Sequence, residues 1–127
     1  MITKLLSTLK KWALPIVVLY TIGITIGSLV HIGGIPNLNS GFDDKIFHFI
    51  AYTVFTILVY NYCSTIQITS AILISAVIVI IYGIIIEALQ YGLTSYRTFD
   101  IFDALANALG VCFAAMMLKI RNKLKLK

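Results

Sequence analysis

Between Glu87 and Asn107 the sequence reads EALQYGLTSYRTFDIFDALAN, which sets Glu87, Gln90, Arg97, Asp100, Asp103 and Asn107 into a chain that is otherwise almost uniformly apolar. A second polar group lies in DKIFHFIAY, where Asp44, His48 and Tyr52 recur every four residues, on one face of a helix, beside Lys45. Carboxylates and a histidine can act as general acid and base or hold a divalent cation, while a lysine and an arginine can clamp a phosphate or a carboxylate. On this reading Glu87, His48 and Asp103 would carry acid/base or metal chemistry, and Asp44, Lys45, Tyr52, Gln90, Arg97, Asp100 and Asn107 would bind. There is no HExxH, GxSxG or Walker-type loop, so these residues do not by themselves select a reaction.

The elements that must position them cross a membrane. The 127 residues are 60% hydrophobic and 12% charged, with a mean hydropathy of +0.98, outside the range of water-soluble domains. The formal charge of +5 is not a nucleic-acid signal. Eight of the ten basic residues sit in the tails, at Lys4, Lys10 and Lys11 and at Lys119, Arg121, Lys123, Lys125 and Lys127. Tail lysines of this kind are topology signals at an anionic cytoplasmic surface, and no aromatic-interleaved basic patch accompanies them. Cys63 and Cys112 have no CxxC spacing and indicate no disulfide framework.

Four spans are expected, at about 12–32, 46–62, 68–91 and 101–118, each long enough to cross roughly 30 Å of hydrocarbon. The fold class is therefore an all-α membrane protein, a four-transmembrane-helix bundle in a single domain over residues 1–127. The first apolar run is longer than a signal-peptide core and has no A-x-A-like site after it, so it is expected to stay as a span. On it Tyr20, Gly23, Gly27 and His31 follow 3-4-4 spacing, and Gly23 with Gly27 forms a GxxxG pair that should admit a neighbouring helix. Turn residues fill 33–42 before Asp43 and Asp44, which suit a helix N-terminus. The link at about 61–67 is short enough to make spans two and three antiparallel neighbours. Small and polar residues share stripes on the last two spans: Ala76, Gly83, Glu87 and Gln90, then Asp103, Asn107, Gly110 and Ala114.

Basic tails place both termini in the cytoplasm, with two connections outside. Whatever the orientation, the starts of spans two and four and the end of span three lie on the same side. His48, Glu87, Asp103 and Asn107 are therefore expected within hydrogen-bond or single-water reach of one another, with the Gly23, Gly27 and His31 face packed against or beside them. A charged residue at mid-bilayer is unfavourable by about 2.5–3.5 kcal/mol, so such a layer needs a reason.

DKIFHFIAYTVF at 44–55 and EALQYGLTSYRTFDIFDALANALG at 87–110 resemble the signature of the VanZ-like family of small bacterial membrane proteins. The family pattern is D-K-x-x-H-F-x-x-Y, then E-x-x-Q, then R-x-x-D-x-x-D-x-x-x-N-x-x-G. Asp44, Lys45, His48, Phe49, Tyr52, Glu87, Gln90, Arg97, Asp100, Asp103, Asn107 and Gly110 all match it. The family takes its name from a protein linked to low-level resistance to the glycopeptide teicoplanin, which acts on the outer face of the cell membrane. The resemblance thus implies a multi-pass protein of the bacterial cytoplasmic membrane and an envelope-facing role, and implies no reaction.

Four readings follow. The polar layer binds or modulates an anionic lipid-linked envelope molecule, such as a cell-wall precursor, or a glycopeptide drug. Alternatively it is a small intramembrane enzyme acting on a lipid head group by acid/base or divalent-cation chemistry. A third reading is an ion- or proton-coupled transporter, for which the inner halves of the spans offer few polar residues. Under the fourth, Gln90 and Asn107 are interhelical hydrogen-bond glue, Asp44 with Lys45 is a helix cap and anchor, and Arg97 with Asp100 is an interfacial ion pair.

Overall fold

The computed structural model describes residues 1–30, 43–95 and 99–126. Within them the chain forms four helices, α1 (Ile2–Leu29), α2 (Asp43–Thr65), α3 (Ala71–Leu93) and α4 (Ile101–Lys125), each long and apolar enough to cross a membrane. The expected loop at 33–42, His31 and Arg97 lie outside the described residues.

α1 and α4 run past the apolar stretches that suggested their limits. α1 starts at Ile2 rather than about residue 12, and α4 continues to Lys125 rather than stopping near Leu118. Hydropathy marks where the hydrocarbon ends, whereas the helix ends where backbone hydrogen bonding stops. Leu, Lys and Arg are good helix formers, and Lys123 and Lys125 complement the negative end of the α4 dipole. The turn between α2 and α3 also comes later than the polar composition of 61–67 suggests. α2 reaches Thr65, the Ile68 amide closes its end on the Cys63 carbonyl at 3.0 Å, and Gln67 and Ser70 take left-handed φ of 58° and 59° that a helix cannot continue through.

α2 is the centre of the bundle. It packs against α4, α3 and α1, whereas α1 and α4 do not pack together among the described residues. Tyr52, Phe55, Val59, Cys63, Val79 and Val111 form the core, with Tyr20, Ile24 and Tyr82 at its edge. Phe55 meets Tyr82 edge-on at 5.1 Å and Tyr20 at 5.7 Å, contacts that add about 0.5–1.5 kcal/mol each beyond area burial. Most large apolar side chains outside this core are exposed, as a surrounding of lipid requires.

Two glycines set the helix spacing, and neither belongs to the GxxxG pair. A Cβ built on Gly110 would stand 2.4 Å from the Phe49 carbonyl oxygen, so α2 and α4 are in backbone contact, and Thr53 Oγ1 donates to the Gly110 carbonyl at 3.2 Å. On α3 a Cβ at Gly83 would stand 2.9 Å from Tyr52 Cε1. Gly23 and Gly27, by contrast, have nothing within 4 Å of an added Cβ among the described residues and face outward. Among the described residues the expected packing of the α1 glycine face beside the polar layer does not occur. α1 instead turns Val17, Tyr20, Thr21, Ile24, Thr25 and Ser28 inward, and Tyr20 Oη donates to the Ala51 carbonyl at 2.8 Å.

Candidate functional site

Three helix ends build the polar layer: the first turns of α2 and α4 and the last turns of α3. Asp43 and Asp44 occupy the first turn of α2, where exposed N–H groups and the helix dipole favour negative charge. Asp100 is the N-cap of α4, its carboxylate accepting from the Phe102 amide at 2.8 Å. The four-residue spacing that put Asp44, His48 and Tyr52 on one face of α2 turns that face toward Asp103 and Asn107 of α4 and Glu87 of α3.

Lys45 joins the two N-termini. Its Nζ donates to Asp100 Oδ2 at 2.6 Å and to Asp103 Oδ1 at 2.5 Å, and lies 3.8 Å from Asp44 Oδ2. Asp103 is 8% exposed at its side chain, so this pairing answers a nearly buried charge. The Lys45 ammonium and the Phe102 amide hold the Asp100 carboxyl below the usual carboxylate range.

His48 stands at the centre of the layer. Its Nδ1 is 2.8 Å from Asn107 Oδ1, and Asn107 Nδ2 in turn donates to Glu87 Oε1 at 3.3 Å. A carboxylate only accepts, so the Asn107 amide must present Nδ2 to Glu87 and Oδ1 to His48, and His48 Nδ1 is then the donor. The other ring atom, Nε2, faces Asp44 Oδ1 at 3.7 Å and Asp103 Oδ2 at 4.0 Å. Below the imidazole the Tyr52 ring lies nearly parallel, at 15° with centroids 6.5 Å apart. The Tyr52 hydroxyl is buried and has no hydrogen-bond partner among the described residues. The end of the ring that carries it, at Cζ and Cε1, rests on Gly83, one turn below Glu87 on α3.

The residues singled out from the sequence thus divide. Asp44, Lys45, His48, Glu87, Asp100, Asp103 and Asn107 form one connected layer, with Tyr52 beneath it, and Arg97 lies outside the described residues. Gln90 turns away: its Nε2 donates to the Ser28 carbonyl at 2.8 Å and ties α3 to α1. Two polar links carried no sequence signal strong enough to stand out. Thr25 Oγ1 and Tyr82 Oη share a hydrogen bond at 2.8 Å, and Asn122 Nδ2 donates to Tyr60 Oη at 2.8 Å near the other end of the bundle. Tyr82 could have been found from the buried stripe of α3, Ser75, Val79, Gly83, Ile86 and Gln90, whose edge it shares.

The family model for VanZ/LLP1 matches residues 8–122. The chain belongs to the VanZ-like family. That match takes in α2 and α3 whole, most of α1 and α4, and every residue of the polar layer. No curated protein and no solved structure matches this VanZ-like chain. The arrangement can supply three kinds of chemistry: a bridging cation in Lys45, a histidine whose protonated nitrogen is fixed by its neighbours, and carboxylate oxygens aimed at that histidine.

Proposed function

We propose that this VanZ-like protein binds the anionic head group of a lipid-linked envelope molecule, such as a cell-wall precursor, at the outer face of the bacterial cytoplasmic membrane, with both termini in the cytoplasm. The orientation follows from the lysines of the two tails. The observation that carries the reading is the meeting of the α2 and α4 N-termini with Lys45 between them, since helix N-termini and an ammonium group both favour a phosphate or carboxylate. Arg97, three residues before the Asp100 cap, supplies a second cation to the same ligand. A glycopeptide drug, whose target lies on that face, competes for the same precursor.

One observation favours an enzyme as the second reading: the hydrogen-bonded chain from His48 through Asn107 to Glu87 orients the imidazole as a general base is oriented. The two readings part on turnover. Purified protein in detergent, incubated with a labelled lipid-linked precursor, is expected to retain it stoichiometrically, with retention weakened by Arg97→Ala. Catalytic loss of the precursor would reject the binding role in favour of the enzyme. Glu87→Gln and Asp103→Asn preserve shape and most hydrogen bonds, so under either reading they should abolish function at near-normal expression. Expression falling in step with function would mean that the layer only holds the helices together.

A further inference from the structure

The polar layer contains more negative than positive charge. Asp44, Asp100 and Asp103 gather around Lys45 and Glu87 faces His48, so that even with Arg97 counted the acids outnumber the bases. Lys45 is already engaged by Asp100 and Asp103, so a further cation in the layer would strengthen its hold on an anionic head group. His48 poses a difficulty at the same place. With the Nδ1 proton committed to Asn107, Nε2 of the neutral ring is an acceptor, and it faces two further acceptors, Asp44 Oδ1 and Asp103 Oδ2. The separations of 3.7 and 4.0 Å are too long for direct hydrogen bonds. They are a little longer than the separations of ligands arranged around a shared cation.

We infer that Asp44, His48 and Asp103 form a divalent-cation site. One ligand atom from each lies within 4.8 Å of the others, and closing them onto an ion at about 2.0–2.2 Å asks for a contraction of a few tenths of an ångström in the two histidine separations and for the two carboxylates to swing toward each other. Asp44 and Asp103 each give one oxygen to the Lys45 side and turn the other toward His48. The surroundings are those of a metal-binding histidine. Asn107, itself held by Glu87, accepts from the ring nitrogen that does not bind, which fixes the tautomer, and the Tyr52 ring beneath fixes the plane. One imidazole with two carboxylates suits Mn2+ or Zn2+. Three protein ligands leave a coordination position open, and there an oxygen of the anionic head group would bind. Only this last step rests on the proposed function. Glu87 thereby becomes, with Asn107, a positioning residue for His48 rather than an acid/base group.

The test uses Mn2+ alone. Protein purified in detergent, stripped with EDTA and titrated with Mn2+ should take up about one ion per chain, with an imidazole nitrogen coupling visible by pulsed electron paramagnetic resonance. His48→Gln should remove that coupling. Asp103→Asn should weaken uptake at least tenfold, and Asn107→Ala should weaken it by about 10–100-fold while leaving residual binding at the same ligands. Asp44, 44% exposed at its side chain and at the helix start, can lose its charge without threatening the fold, so Asp44→Asn keeps the question answerable should Asp103→Asn misfold. No saturable uptake by the wild-type chain, or uptake unchanged in Asp44→Asn and His48→Gln, overturns the site. The head group is then tested apart: a labelled lipid pyrophosphate held with Mn2+ and released by EDTA supports the bridging step. Retention indifferent to EDTA in a chain that does bind Mn2+ overturns that step alone, and retention without any Mn2+ uptake overturns the metal site while leaving head-group binding standing.

Discussion

α2 and α4 touch along their whole length, yet the two ends of that contact are built on opposite principles. At the Lys45 end Lys45, Asp100, Asp103, His48 and Asn107 meet through ion pairs and charge-assisted hydrogen bonds, with Asp103 almost fully buried. About 18 Å further along α2, the Tyr60 end is held by a neutral bond from Asn122 to Tyr60 and by the Arg121 guanidinium 5.4 Å from the Tyr60 ring centroid. Beside it an open depression of about 460 Å³, lined by Tyr60, Ser64, Gln67, Ile68, Ser70, Ala71, Ile72 and Asn122, contains no buried charge. If joining two helices were the whole task, the solution at Tyr60 would serve at both ends at lower desolvation cost. The Lys45 end therefore carries a burden that helix packing does not explain.

That contrast can be broken by substitution, beginning where the effect is largest. Lys45→Met removes the cation shared by Asp100 and Asp103 and leaves Asp103 buried without it. Because Lys45 is a quarter exposed, the loss is expected toward the lower end of the about 3–5 kcal/mol that follows breaking a buried pair, read as a fall in melting temperature in detergent. A double variant, Lys45→Met with Asp103→Asn, should recover most of it. Gly110→Ala comes next. Its new methyl group would meet the Phe49 carbonyl and push α4 off α2, at about 1–3 kcal/mol, whereas Gly23→Ala meets nothing and should leave the melting temperature unchanged or slightly raised. Equal losses from the two would mean that the GxxxG face is packed after all.

Smaller effects sharpen the comparison. The Asp100 carboxyl is held below its ordinary value, so its contribution to stability is fully present above about pH 4 and is lost as the pH falls through the lower, folded-state value. Acid melting curves of the wild-type chain and Asp100→Asn should therefore converge below about pH 4 and separate above it, by at most about 1 kcal/mol for so exposed a pair. Smallest of all, Asn122→Ala at the Tyr60 end should lower stability by only about 0.6 kcal/mol, with no change in head-group retention. A larger loss there, or any effect on retention, would erase the distinction between the two ends.

The sequence by itself determined that four helices cross a membrane, because runs of apolar residues of that length have no other stable arrangement in lipid. It also determined that His48, Glu87, Asp103 and Asn107 share one layer, since short connections between successive spans leave no freedom in which side each end faces. Spacing alone could not choose between the faces of α1: Gly23, Gly27 and the Tyr20 stripe all repeat at helical intervals, and in lipid an apolar outward face looks in composition like an inward one. Nor could it separate Gln90 from Glu87, three residues and less than a turn apart, of which one reaches α1 and the other the layer. Those choices belong to tertiary structure. They depend on the angle at which helices cross and on which carbonyl or carboxylate comes within about 3 Å, and helical periodicity carries no information about either. The pairing of Lys45 with Asp100 and Asp103, and with it the nitrogen of His48 that faces the carboxylates, was decided only when α2 met α4 at Gly110.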